Sequence, residues 1–299
     1  MSGDQPLITV VIATYNRAKV IPYAIESVLW QTYENFELWI VGDKCTDNTE
    51  EVIKPYLKDP RINWYNLPEN SGYQSVPNNE GIKRGNGEYI AYLNHDDIWL
   101  PNHLESLLET IQKTDADFVF SIIQWIYEFS EEHKHKRTIP DIPILPYMPR
   151  PPEATAILHK KSVVDRIGYW KNINETYAYP RVQFFRDAFH AKMKFELAPV
   201  LTGLKFLWDE KNYEDSGPQH ILMDRIRSDK DYIARELSDM LVRSYIELSQ
   251  PATRWRLKRQ YGDAIRNWMT KNKLDPARLK FWQKKGTQIQ IWRKRHQLD

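Results

Sequence analysis

A single cysteine, Cys45, is all that 299 residues contain, so no internal disulfide can form and a reducing compartment is expected. No apolar run approaches the ~18 residues of a membrane span, and the N-terminal MSGDQP lacks a signal-peptide pattern. These absences predict a cytoplasmic protein. Neither GxGxxG nor GxxxxGK[ST] follows the first apolar segment, which argues against a dinucleotide dehydrogenase or a P-loop NTPase. No internal repeat is found. Net charge is nearly absent too, at +2, yet it is unevenly placed. Residues 251–299 carry fourteen Lys/Arg against three Asp, a net of +11, which leaves the preceding body at −9. Such an acidic body with a basic tail suits contact with a membrane surface or a nucleic acid.

What is present is an alternation of short apolar runs and helical periods. Leu7 to Ala13 (LITVVIA) reads as a strand buried on both faces, followed by the turn Thr14-Tyr15-Asn16-Arg17 and a helix from Pro22. Phe36 to Val41 and Arg61 to Asn66 read as further strands, with a helix starting near Thr46-Asp47-Asn48-Thr49 between them. A helix over Val76 to Arg84 leads to a fourth strand, Tyr89 to Leu93. This β-α-β-α-β-α-β order predicts a parallel sheet with right-handed crossovers and helices on both faces. Later come a helix (Leu104 to Gln112), a strand (Phe118 to Ile126), an irregular Pro-rich stretch (Thr138 to Pro152), a short strand (Thr155 to His159) and a helix over Lys161 to Ile167. A helix from Pro180, a strand over Phe195 to Leu201 and a mostly helical remainder from Gln219 complete the chain. The His133-Lys134-His135-Lys136 cluster fits a solvated loop better than a metal site.

The fourth strand ends on two adjacent aspartates, Asp96 and Asp97. Two carboxylates at the end of a buried strand repel each other and lose hydration unless a cation stands between them. A hard divalent ion suits such a pair, because it takes oxygen ligands and can bridge to phosphates. The alternative is a pair of helix-capping residues before Pro101. Ligands of parallel sheets gather at the carboxyl ends of the strands. Thr14-Tyr15-Asn16, Asp43 and Asn94 to Asp97 all fall there, which favours the metal-site reading.

The pieces VVIATYNRAKVIPYAIESVLWQTYENFEL (10–38), IVGDKCTDNTEEVI (40–53), Asn70–Gly72 through NNEGI (78–82) and GEYIAYLNHDDIWLP (87–101) together resemble the family 2 inverting glycosyltransferases. The resemblance implies the α/β GT-A fold, a mostly parallel sheet with helices on both faces, over residues 1–215. Residues 1–115 would form a nucleotide-binding half and 116–215 an acceptor-side half, with a basic, aromatic-rich helical extension over 216–299. It also implies a nucleotide-diphosphate sugar as donor, a UDP-sugar by default, a glycan or lipid-linked acceptor, and Mg²⁺ or Mn²⁺ as cofactor. Tyr15 and the backbone around Ala13 would pack on the base, Asp43 would accept hydrogen bonds from base or ribose, and Asn79 would lie at the donor. Asp96 would face the ribose or sugar, and Asp97 would bind the metal directly.

The chain departs from the family at the acceptor side. The usual acidic pair at a helix start would fall on Tyr179-Pro180, where no carboxylate is available. Glu175, in the preceding loop, and Asp187, within the helix, are the candidate bases. Gly42 and Lys44 also replace the Asp and Gly of a DDGS-like turn. The basic 251–299 segment, interleaved with Trp255, Trp268, Trp282 and Trp292, fits peripheral docking on an anionic membrane. No recognised nucleic-acid-binding motif accompanies it. The competing function is a non-catalytic nucleotide-sugar or carbohydrate-binding protein on the same scaffold.

Overall fold

The computed structural model describes residues 5–127, 137–141, 152–176, 178–207 and 219–229, with a few isolated positions beyond. The His133–Lys136 cluster and nearly all of the basic 251–299 segment, with its expected membrane contact, lie outside the described residues. Among the described residues no helix is long and apolar enough to cross a membrane.

Strand β1 (Ile8–Thr14) is buried along its whole length. Its β-branched side chains fit a pleated surface covered on both sides. Ile8, Val10 and Ile12 enter one core, shared with α1 (Ile21–Leu29) and α4 (His103–Thr114). Val11 enters a second core, shared with α3 (Ser75–Arg84) and α6 (Pro180–His190). The alternation follows from the two-residue period of a strand. Helix α3 lies so close to β1 that a Cβ on Gly81 would stand 2.5 Å from a Val11 methyl, which is why this helical position carries glycine.

Strands β2 (Phe36–Gly42) and β3 (Ile62–Asn66) extend the sheet on one side of β1, and β4 (Tyr89–Tyr92) on the other, all parallel. Helix α2 (Thr49–Ile53) joins β2 towards β3. The first hundred residues thus form the expected parallel unit. Beyond β4 the sheet is mixed. It continues through β8 (Ile157–Lys160), β6 (Phe118–Tyr127), β9 (Phe195–Leu207) and β5 (Ile98–Trp99), with β7 (Arg137–Asp141) beside β6. Only β6 and β9 are parallel there; β4–β8, β6–β8, β6–β7 and β5–β9 run antiparallel. "Mostly parallel" therefore holds for the first four strands and not for the later ones. Two strands escape the sequence patterns: β5 has two residues, and β7 opens the stretch read as an irregular loop.

Strand β9 runs on to Leu207, past the expected end at Leu201, and it is irregular against β6. Ala198 pairs with Ser121, but Leu201 pairs with Ile122 and Gly203 with Ile123. Three extra residues are absorbed there before the ladder resumes, bringing Lys205 opposite Trp125. Helix α7 (Gln219–Ser228) lies in the part expected to be an extension. It packs Leu222, Met223 and Ile226 against Ile98, Leu100, Leu204 and Phe206 of the main body.

Candidate functional site

The turns after β1 and β2 are tied together by side chains, Asn16 among them. Asn16, itself in the left-handed region at φ 50°, accepts from the backbone N–H of Thr46 at 2.9 Å and donates to the Thr46 hydroxyl at 3.3 Å. Lys44, where the family favours glycine, adopts φ 61°. Asp43 follows β2, is buried, and accepts from Ser71 N–H (2.8 Å) and Gly72 N–H (3.1 Å), while its carbonyl accepts from Asn70 (2.8 Å). Burial raises the Asp43 carboxyl above its ordinary range, against the pull of the Ser71 and Gly72 hydrogen bonds. Each oxygen keeps a lone pair for a ligand. Tyr15 is half-buried and, among the described residues, makes no side-chain hydrogen bond, which leaves its ring available as a platform. The Ala13 carbonyl is engaged by His95 Nδ1 at 3.0 Å; a carbonyl can only accept, so that nitrogen carries the proton.

The two aspartates after β4 face different surroundings. Asp97 is fully buried. Its Oδ2 accepts from Asn94 Nδ2 (2.8 Å) and from the Thr155 hydroxyl, and its Oδ1 from the Phe206 N–H (3.2 Å). The Lys205 ammonium stands 3.7 Å from Oδ2. Burial pushes Asp97 up to about 7, opposed by Lys205, Thr155 and Asn94. Every neighbour donates, so the anion is the form that the surroundings fit. Lys205 is raised in turn: burial works against its charge, but Asp97 and Glu153 outweigh it. The cation that the aspartate pair called for is therefore, at Asp97, a lysine from β9. Asp96 is half-exposed, and among the described residues nothing pairs with its carboxylate. Its backbone carbonyl accepts from Gln219 Nε2 at 3.2 Å. The open carboxylate at this corner is Asp96, whereas the expected metal ligand Asp97 is enclosed.

Lys205 also stands 3.7 Å from Glu153 Oε2, and Arg181 Nη2 lies 3.0 Å from Glu153 Oε1. Arg181 additionally donates to the Pro152 carbonyl. Burial works against the Glu153 charge, but Arg181 and Lys205 hold its carboxyl below the usual range. Beside this cluster Tyr73, on the loop after β3, stacks on Tyr179 at the start of α6, with centroids 6.0 Å apart. Glu153, Lys205 and Arg181 were not anticipated from sequence. One signal was available: a lone lysine in the apolar TGLKFL of β9 demands acidic partners.

Other expected residues take different places. Asn79 clamps α3 to the backbone of Trp170, accepting from its N–H (3.0 Å) and donating to its carbonyl (2.8 Å), so its amide is spent between helices. Asp187 accepts from Lys171 and from Gln183, each at 2.8 Å. Glu175 ends the 3-10 turn Ile173–Glu175 and is exposed. Among the described residues, three buried polar atoms at or near the strand ends have no partner: Thr14 Oγ1, Ser75 Oγ and Gln219 Oε1. Unsatisfied groups of this kind are costly unless a ligand or water meets them.

The sequence profile of Glycosyl transferase family 2 matches residues 9–179, more than half of the chain. The chain belongs to this family. Glycosyltransferase GlyG of Streptococcus pneumoniae is 38% identical over 114 residues, covering 38% of each chain. Glycosyltransferase MJ1057 of Methanocaldococcus jannaschii, itself uncharacterised, is 38% identical over 132 residues, 43% of this chain and 44% of that one. Both relatives are thus matched over less than half of their own length. Among solved structures, S. aureus TarS in complex with UDP-GlcNAc superposes with a TM-score of 0.57 at 18% identity, covering 69% of this chain and 59% of that one. The mannosyltransferase PcManGT from Pyrobaculum calidifontis, in complex with GDP-Man and Mn²⁺, gives 0.50 at 15% identity over 67% and 57%. At such identities the likeness concerns the fold, which is that of the GT-A transferases.

Proposed function

We propose that this chain is a glycosyltransferase that moves a sugar from a nucleotide diphosphate to a glycan or lipid-linked acceptor, with inversion at the anomeric carbon. The observation that carries the reading is the open Asp96 carboxylate beside an enclosed Asp97, at the ligand-binding edge of a family 2 sheet. The solved neighbours described with UDP-GlcNAc and with GDP-Man and Mn²⁺ support a nucleotide sugar as donor, a UDP-sugar by default.

An open carboxylate at this corner would suit a hard divalent ion such as Mg²⁺ or Mn²⁺, which prefers oxygen ligands. Among the described residues no group of three acidic, His or Cys side chains could hold an ion alone. Asp96 is the residue that would hold it, in place of Asp97. When bound, the ion supplies Lewis-acid stabilisation of the charge that develops on the leaving diphosphate. The chain's own residues do the remaining work. Asp97, fixed by Asn94, Thr155 and the Phe206 N–H, anchors the loop that carries Asp96. Tyr15 offers a ring face to the base, and Asp43 keeps acceptor capacity for base or ribose. Thr14, Ser75 and Gln219 hold unpaired polar atoms that a polar ligand would satisfy.

A non-catalytic sugar-nucleotide binder is the second reading, favoured by the start of α6 at Tyr179-Pro180, where no carboxylate is present. Turnover separates the two. In a thermal-shift panel of UDP-, GDP-, dTDP- and CDP-sugars, one donor should raise the melting temperature more with Mn²⁺ than without it. Saturation at a hundredfold over Kd corresponds to about 2.7 kcal/mol. Asp96→Asn should keep the unliganded melting temperature and lose the Mn²⁺-dependent increment. If no nucleotide sugar stabilises the wild type, or Asp96→Asn responds like it, this reading is wrong.

A further inference from the structure

An inverting displacement needs a base that takes the acceptor proton, and the carboxylates around this edge differ sharply in their freedom to do so. Asp97 is enclosed by donors, and Asp96 belongs to the diphosphate corner. Asp43 is bound to the backbone of Ser71 and Gly72 at the nucleotide end. Asp187 is taken by Lys171 and Gln183, and Glu175 is exposed on its turn. Glu153 remains. It lies two residues before Thr155, whose hydroxyl bonds Asp97, and it is gripped by Arg181 on the first turn of α6. That puts it between the aspartate corner and the place where Tyr73 meets Tyr179.

We propose that Glu153 is the general base of this transferase, supplied by the loop before β8. The inference rests on the transferase reading above. Arg181 occupies Oε1 at 3.0 Å, whereas Lys205 is 3.7 Å from Oε2, beyond direct hydrogen-bond length, so Oε2 keeps lone pairs for a substrate hydroxyl. The side chain keeps 16% of its surface open. In the step itself, the acceptor oxygen bonds to the anomeric carbon and the carbon–oxygen bond to the diphosphate breaks, its electron pair leaving with the nucleotide. The acceptor proton passes to Glu153 Oε2. An oxygen already bonding to that carbon is strongly acidic, so a carboxylate of low basicity suffices, provided it is ionised. Arg181 and Lys205 hold it so.

The test uses the full chain, the nucleotide-sugar panel above with Mn²⁺, and water or azide as acceptor. Azide carries no proton, so its attack needs no base, whereas water does. Wild type should release nucleotide from its donor slowly in water. Glu153→Gln should bind UDP or the donor within threefold of wild type and lose hydrolysis by about 100-fold or more. Millimolar azide should then restore nucleotide release, with the glycosyl azide seen by mass spectrometry. Hydrolysis by Glu153→Gln within threefold of wild type overturns the assignment. So does loss of both donor binding and azide turnover, which would make Glu153 a structural counter-ion for Arg181 and Lys205. A wild type that neither binds nor cleaves any donor overturns the transferase reading itself.

Discussion

The two halves of the sheet hold their site carboxylates in opposite ways. In the parallel half, Asp43 is met by backbone N–H groups, and Asn16 and Asp47 lock the turns through backbone N–H groups as well. In the mixed half, Glu153 and Asp187 are met by cations, Arg181, Lys205 and Lys171, and Asp97, between the halves, takes both kinds of partner. Backbone donors are fixed once the chain folds, and they suit a nucleotide that is the same in every turnover. Cationic side chains depend on distant elements agreeing in position. They place charge where a reaction moves it, and a single substitution can undo them.

The largest effect expected from this contrast is at Lys205. Lys205→Met leaves Asp97 and Glu153 buried without their shared cation and should cost about 3–5 kcal/mol in chemical denaturation. Combining it with Asp97→Asn should recover part of the loss, because the second change removes the stranded charge. Asp43→Ala should cost less, about 1–3 kcal/mol, since it frees two N–H groups but strands no charge. It should weaken nucleotide binding as well, read by calorimetry with UDP. If Asp43→Ala proves the more damaging for stability, the contrast between the halves fails.

A smaller effect concerns pH. His159 Nδ1 donates to the Lys160 carbonyl at 2.7 Å, and its Nε2 lies 2.8 Å from the Tyr92 hydroxyl. Burial pushes His159 down to about 4, and pushes His103, bonded to Thr202 of β9, down to about 3. The unfolded chain binds these protons near the ordinary value of about 6.5. Between that value and about 4 the unfolded state holds more protons, so stability falls as the pH falls. His159→Gln should flatten the slope of melting temperature against pH over that window. An unchanged slope would show that this imidazole already titrates freely in the folded chain.

What sequence patterns conveyed divides along the same line. β1 to β4 and their helices were legible, because continuous β-branched runs and helical spacing are local signals. The strand-end residues were legible as a group, since the parallel order fixes which ends gather. The partition of the Asp96–Asp97 pair was not, because the lysine that meets Asp97 comes from a hundred residues away. Asn79 shows the same limit: its amide is claimed by Trp170, which no local pattern reveals. Glu153 was hidden between a Pro-rich stretch that reads as a loop and the short strand that follows it.

The irregular pairing of β9 with β6 carries one more consequence. Three residues are absorbed between Ala198 and Gly203. In an unbroken ladder Thr202 would stand opposite Trp125, and Lys205 would lie three residues farther on, roughly 10 Å along the strand. The absorbed residues therefore draw the ammonium back level with Trp125, within reach of Asp97 and Glu153. Losing or gaining residues in that short stretch would slide it by about 3.3 Å for each one, with no change in composition. In this part of the chain, counting residues is as informative as identifying them.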